Sequence, residues 1–272
     1  MLAAVVQLTS TLSLEHNLER AGSWIDRAAR AGARLVCLPE NFPCMREEGS
    51  LNPATAPLDG RILEFLRGLA KETGVVIAGG TLPEAISGDT RAFNTSVVVD
   101  ADGELSAVYR KIHLFDVDLP DAQFQESKAV RAGDEIVVAR TSVGSLGLSI
   151  CYDLRFPELY RELTARGAEI LLVPSAFTVP TGTDHWEVLL RARAIENQCF
   201  VMAAAQYGVH SAHRRSYGRS MIVDPWGLVL ARAPDAEGVA LADLDLDRLG
   251  EIRRRLPALR HRRLGLDTPS SA

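Results

Sequence analysis

The chain has 272 residues, 47% hydrophobic and 24% charged, with a formal net charge of −5 at pH 7. That is an ordinary composition with enough chain for one large core, and its acidic balance argues against a nucleic-acid partner. No apolar run approaches the roughly 20 residues a membrane-spanning helix needs, so no membrane partner is expected.

The N-terminal stretch, Met1 to Leu8, lacks a basic start and turns polar after Leu8, which reads as a first strand and not a signal peptide. Leu14, Leu18, Ala21, Ile25 and Ala28 then recur at helical spacing, and Gly32 can end that helix. Ala33 to Pro39 is a short buried strand with Glu40 just beyond its end. Asp59 is the expected N-cap of a second helix that turns Ile62, Phe65, Leu66 and Leu69 inward, and Gly74 closes it before the strand Val75 to Ala78. Asn94 to Val99 and Leu105 to Tyr109, joined by Asp100-Ala-Asp-Gly103, give a hairpin signal.

A similar order then returns. Arg30 to Glu40 aligns without gaps on Ala165 to Ser175, and Ser96 to Gly103 on Ser220 to Gly227. Two matches in the same order point to an internal duplication, hence to two α/β halves, each a sheet covered by two helices. Packing their free faces together predicts helix, sheet, sheet, helix layers around one core, with the strand ends after Pro39 and Pro174 in related positions. Residues 1–265 are read as a single domain and 266–272 as a disordered tail.

Val143 to Ile150 alternates small and apolar residues as a buried strand would, and Pro157 suits the first position of a helix. Cys151 is thereby expected in a sharp turn leading to a helix N-terminus, where free N–H groups favour a thiolate and a developing oxyanion. A lone cysteine after an apolar strand also reads as a buried structural thiol. Trp186, Leu189, Leu190, Arg193 and Asn197 lie at helical spacing, Cys199 to Gln206 is a strand, and His210 to Tyr217 a polar loop. The basic segment from Arg253 to Arg263 is read as a solvated face or a subunit contact in preference to a nucleic-acid site. The four cysteines, Cys37, Cys44, Cys151 and Cys199, have no metal-binding or disulfide spacing, so a cytoplasmic protein without metal or cofactor is expected.

Lys111 and His113 fall on one face if their strand persists, and Glu40 or Glu126 could pair with a lysine aimed into a pocket. His113 alone reads as a hydrogen-bonded structural histidine. Taken together, Leu38-Pro-Glu-Asn41, Tyr109-Arg-Lys-Ile-His113, Phe124-Gln-Glu-Ser127 and Ile150-Cys-Tyr-Asp-Leu-Arg-Phe156 have the order and spacing of the nitrilase superfamily of carbon-nitrogen hydrolases, which the chain resembles over almost its whole length. The resemblance implies an αββα sandwich and a Glu-Lys-Glu-Cys set at Glu40, Lys111, Glu126 and Cys151. Cys151 would be the nucleophile, Glu40 the proton shuttle, Lys111 an oxyanion partner with the Tyr152 N–H, and Glu126 the residue that holds Lys111.

The stretches His113 to Pro120, His185 to Ile195 and Ser216 to Gly227 resemble the Nit branch, more closely its deaminated-glutathione amidases than its ω-amidases; Asp121 and the stretch from Tyr207 to Arg214 depart from that pattern. The expected reaction is hydrolysis of deaminated glutathione to 2-oxoglutarate and cysteinylglycine, the alternatives being 2-oxoglutaramate, another aliphatic or N-carbamoyl amide, or a non-catalytic scaffold. Arg155 is the candidate for an α-keto acid or carboxylate, with Tyr152 and Thr178 completing the expected substrate-binding set and Arg214, Arg215 or Arg219 serving a second anion. A homodimer or larger assembly is expected, through the helices that carry Leu159, Leu163, Trp186, Leu189 and Leu190.

Overall fold

The structure, a computed structural model, describes residues 1–264 apart from Glu48, Pro120 and Asp121. The expected disordered tail and the departure at Asp121 lie outside the described residues.

Two sheets follow the same plan. In the first, Leu2–Gln7 runs parallel to Leu35–Cys37, and that strand parallel to Val76–Ala78; Ala92–Val99 and Leu105–Arg110 follow antiparallel. In the second, Gly144–Leu148, Ile170–Leu172 and Phe200–Ala203 are parallel, and Met221–Val223 and Val229–Arg232 follow antiparallel. Each has an antiparallel strand at its first edge, Gly238–Asp243 on Leu2–Gln7 and Val138–Thr141 on Gly144–Leu148. Helices α1 (Leu14–Arg30) and α2 (Arg61–Thr73) cross over in the first half, α3 (Pro157–Ala165) and α4 (Val179–Asn197) in the second, and α5 (Leu246–Arg255) comes last.

The duplication extends to single hydrogen bonds. After α1 the N–H groups of Gly32 and Ala33 turn back to Ala29 and Ala28, and after α3 those of Gly167 and Ala168 turn back to Thr164 and Leu163. Gly32 and Gly167 have φ of 91° and 92°, a region that only glycine enters without strain. The turns Asp100–Gly103 and Asp224–Gly227 close with the same bond, and a register shift precedes each, at Val98/Val99 and Ile222/Val223.

Strand alternation sorts the apolar residues into three packed groups. Ala3, Val5, Leu35 and Val76 of the first sheet meet Leu146, Leu148, Ile170, Phe200 and Met202 of the second. Ala4, Val6 and Val36, on the other face, meet Leu18, Ile25, Leu63 and Leu66 of α1 and α2. Leu171 and Val201 meet Leu163, Trp186 and Leu190 of α3 and α4. The layers are therefore helix, sheet, sheet, helix.

Several local expectations are corrected. The N-cap of α2 is Gly60, not Asp59, because the turn from Pro57 leaves no room for a Cβ there: one would sit 2.8 Å from the Pro57 carbonyl oxygen. The buried stripe of α2 is Ile62, Leu63, Leu66 and Ala70, with Phe65 and Leu69 only partly covered. The strand does not persist to His113; it ends at Arg110, since the His113 N–H is taken by the Asp153 carboxylate. Of the polar stretch His210 to Tyr217, residues 210–214 are a loop as expected, but Arg215–Tyr217 is a strand paired with Tyr207–Val209 in a two-stranded ribbon, whose outer residues do not alternate in polarity. Leu159, Leu163, Trp186 and Leu190 are not surplus apolar surface: each is at most 4% exposed, against its own sheet. Arg253 is no solvated charge, because its guanidinium donates to Gln198 O and Ala168 O and docks α5 on the second half.

Candidate active site

The site lies where the two related strand ends meet. Past Pro39 the chain takes a left-handed turn at Asn41 (φ 56°), and the Asn41 N–H donates to Thr81 Oγ1 at 2.8 Å. Glu40 is held from the other half: its carbonyl accepts from Gln206 Nε2 at 3.0 Å, and its Oε2 from the Ala176 N–H at 2.9 Å.

Lys111 follows the strand Leu105–Arg110 and is 2% exposed. Its Nζ lies 3.0 Å from Glu40 Oε1 and 3.1 and 2.9 Å from the two oxygens of Glu126. Burial works against the ammonium, but the charges of Glu126 and Glu40 outweigh it and hold Lys111 well above the ordinary lysine range. Glu126 opens a 3₁₀ turn after the ribbon Asp116–Leu119/Ala122–Gln125; its Oε2 also accepts the Phe115 N–H at 2.7 Å.

Cys151 opens a second 3₁₀ turn, Cys151–Arg155, with φ of 48°, and its N–H donates to Pro174 O at 2.9 Å. Asp153, fully buried, ties this turn to the lysine segment. It accepts from Tyr109 Oη at 2.6 Å, the His113 N–H at 3.1 Å and the Ile150 N–H at 2.8 Å, and His113 Nδ1 lies at 2.7 Å. His113 also stacks on Phe156. From α4, Arg193 adds two bonds to Leu154 O. The Tyr152 N–H donates to no group among the described residues.

The surroundings of Cys151 work against the thiolate that a nearby helix N-terminus was expected to favour. Loss of water around the sulfur, then the Glu40 charge, push the Cys151 thiol well above its ordinary value, while Lys111 and the Ala176 N–H pull the other way. The helix begins at Pro157, as expected, beyond the 3₁₀ turn that Cys151 opens. A thiol beside a carboxylate and a buried ammonium can still react, by giving its proton away as it attacks.

Glu40, Lys111, Glu126 and Cys151 all line one cavity of about 520 Å³, together with Tyr152, Arg155 and Thr178. Arg155 reaches His185 Nδ1 at 3.2 Å and lies over the Tyr152 and Phe177 rings. Thr178 stands at the N-cap of α4, and its hydroxyl pairs with that of Thr181 at 2.8 Å. Arg214 and Arg215 reach the cavity wall from the ribbon; Arg219 is not among the lining residues and pairs with Asp235 at 2.9 Å. Sequence reasoning missed Arg46 and Asn94, which also line the cavity. Asn94 carried a signal, a polar residue in an apolar strand, whereas Arg46 lies in an irregular segment that carries none. No group of three or more His, Cys, Asp or Glu that could hold a metal ion occurs among the described residues.

A layered α/β sandwich brings a cysteine, a lysine and two glutamates to one cavity, groups suited to hydrolysis by a thiol. Comparison with known proteins narrows this: residues 2–254 match the carbon-nitrogen hydrolase family, and the chain belongs to that family. It is 47% identical over 266 residues to a deaminated glutathione amidase of Synechocystis sp., covering 96% of this chain and 97% of that one. Among solved structures, the nitrilase-superfamily branch 10 member Nit3 of Saccharomyces cerevisiae superposes with a TM-score of 0.86 at 32% identity, covering 97% of both chains. The Caenorhabditis elegans NitFhit protein also gives a TM-score of 0.86, at 40% identity, covering 96% of this chain and 65% of that one.

Proposed function

We propose that the chain is an amidase that forms a thioester on Cys151, and that its preferred substrate is deaminated glutathione, released as 2-oxoglutarate and cysteinylglycine. The observation that carries this reading is Lys111 clasped between Glu40 and Glu126, with Cys151 beside Glu40 on a cavity walled by arginines.

The chemistry follows from those positions. The Cys151 sulfur attacks the amide carbon while its proton passes to Glu40, and the carbonyl oxygen gathers charge between Lys111 Nζ and the Tyr152 N–H. Glu40 returns the proton to the departing nitrogen, the C–N bond breaks, and the acyl group stays on sulfur. Glu40 then takes a proton from water as it attacks the thioester, and that proton goes back to the sulfur as the acid leaves. Glu126 keeps Lys111 in place. No metal or cofactor enters this sequence.

Arg155 suits the α-keto acid, and Arg214 or Arg215 a glycine carboxylate at the far end; the relative's name, deaminated glutathione amidase, supports this choice over 2-oxoglutaramate, which lacks the peptide tail. We place the enzyme in the cytoplasm as one domain over residues 1–265; no helix among the described residues is long and apolar enough to cross a membrane. A panel of the two substrates tests the choice. Deaminated glutathione is expected to have the higher kcat/KM, Arg155→Ala to raise KM for both, and shortening of 210–215 to hurt only the longer one. A preference for 2-oxoglutaramate would assign the ω-amidase reaction instead, and no turnover of any small amide would leave the scaffold reading.

A further inference from the structure

Asn94 takes no part in the steps above, yet its side chain touches the groups that do. It lies on the strand Ala92–Val99, 5% exposed, at the cavity wall. Its Nδ2 donates to Glu40 Oε1 at 2.8 Å and reaches Glu126 Oε1 at 3.4 Å, while its backbone carbonyl accepts the Lys111 N–H at 3.0 Å. Its Oδ1 is buried and has no partner among the described residues.

The chemistry of the neighbours fixes the amide this way round. Turned over, the amide would set a carbonyl oxygen against two carboxylate oxygens, so the NH₂ must face them even though Oδ1 is left without a donor.

We propose, on the reading of the site given above, that Asn94 is a positioning residue that saturates Oε1 of Glu40 and so leaves Oε2 as the edge that takes the thiol proton. Oε1 already accepts from Lys111 Nζ and Asn94 Nδ2. Among the described residues Oε2 accepts the Ala176 N–H, and Ala176 and Glu40 are both neighbours of the Cys151 sulfur, which puts Oε2 on the thiol's side. Asn94 is a neutral donor. It supports both carboxylates as anions without the second positive charge that would weaken Glu40 as a base. The titratable groups that face Glu40 are Lys111, Glu126 and Cys151, and the wall beyond carries Arg46, Tyr152, Arg155, Asp184, His185, His213, Arg214 and Arg215.

The test is the pH dependence of kcat/KM for whichever of the two substrates the parent turns over, in the parent, Asn94→Ala and Asn94→Asp. Loss of one hydrogen bond to a charged acceptor is expected to move the acidic limb of Asn94→Ala up by about one pH unit. Asn94→Asp, with a third carboxylate, moves it further. An acidic limb that stays in place while kcat falls overturns the proposal and leaves Asn94 a structural amide. The rate of Cys151 alkylation by iodoacetamide against pH gives a second readout that needs no substrate, and Asn94→Ser replaces any variant that does not fold. A changed pH profile of alkylation supports the proposal, and an unchanged one overturns it. Cys151→Ala separates the two levels: if it still hydrolyses amides, the site reading itself fails, whereas an inactive Cys151→Ala beside an unmoved limb overturns the role of Asn94 alone.

Discussion

Cys151 holds a left-handed backbone, which for a residue with a Cβ costs roughly 1–3 kcal/mol. The turn is kept there by bonds on both sides of the residue: the Ile150 N–H to Asp153, the Cys151 N–H to Pro174, and the two Arg193 bonds to Leu154. Because that frame does not involve the sulfur, Cys151→Ala is expected to fold and melt as the parent does while hydrolysis disappears. Mass detection of a trapped acyl group should find it on Cys151; an adduct on Cys37, whose thiol burial pushes up to about 12, would overturn the assignment. Lys111→Met is expected to lower turnover by at least about 10²–10³, the effect of one lost oxyanion donor. It should also lower stability by about 3–5 kcal/mol in a denaturant melt, since Glu40 and Glu126 would remain buried without their cation. Glu126→Gln should cost less turnover than Glu40→Gln, because a glutamine can still accept from Lys111 and Phe115 but cannot carry a proton. Glu40, Lys111, Glu126 and Cys151 are readable in the sequence because each sits in a short motif at a strand end or turn. The roles of Asn94 and Asp153 are not, even where the residue type stands out, because their partners lie far along the chain: Asn94 is 54 residues from Glu40, and Asp153 is 44 from Tyr109.

At the scale of elements, Asp153 joins the nucleophile turn to the lysine segment. Asp153→Asn can keep one acceptor but not the charge shared among Tyr109, His113 and Ile150. It is expected to destabilise the fold by about 1–3 kcal/mol and to lower kcat more than it raises KM, a split that steady-state kinetics can measure. The ribbon Tyr207–Tyr217 is anchored differently. His210 Nδ1 lies 2.9 Å from Ser10 O and its Nε2 3.0 Å from Ser216 Oγ; burial, helped by Arg214, lowers its pKa from 6.5 to about 4. A histidine held neutral in the folded state contributes stability that is present above pH 6.5 and is lost as pH falls toward 4, because the unfolded chain binds the proton first. Thermal melts across that window should show a steeper loss for the parent than for His210→Asn. The helices and parallel strands are readable from periodicity and glycine punctuation. The ribbon is not, because a two-stranded element bare on its outer side has no apolar face to alternate.

For the whole molecule, several of the exposed large apolar side chains gather on the second half, away from the residues first expected to carry them. Val188 and Ile195 of α4 are 67% and 51% exposed, and Trp226 and Leu228 of the neighbouring turn 60% and 59%. They form one patch: Arg191 Nε donates to Gly227 O at 2.8 Å, and a Cβ at Gly227 would touch Ile195. A patch of this kind on a folded chain is a place for a second copy, and a homodimer is the assembly proposed. Sedimentation should give a dimer at micromolar concentration and a monomer for Ile195→Asp/Trp226→Asp; a parent that sediments as a monomer would refute the assembly. The four layers themselves are readable as a repeat, since the aligned segments become matching turns and matching strands.

The edge strand of the first sheet, Gly238–Asp243, pairs with Leu2–Gln7 along its whole length, from Leu2 opposite Asp243 to Gln7 opposite Gly238. On a ribosome the two are made far apart in time. At roughly 5–20 residues per second, the earlier strand waits on the order of 10–50 s with that edge open. During that interval its backbone donors and acceptors can pair with any extended segment in reach, including the same strand on a neighbouring nascent chain. The yield of folded chain is therefore expected to depend on translation speed as well as on the stability of the finished sandwich, which expression at slowed and normal elongation rates can measure.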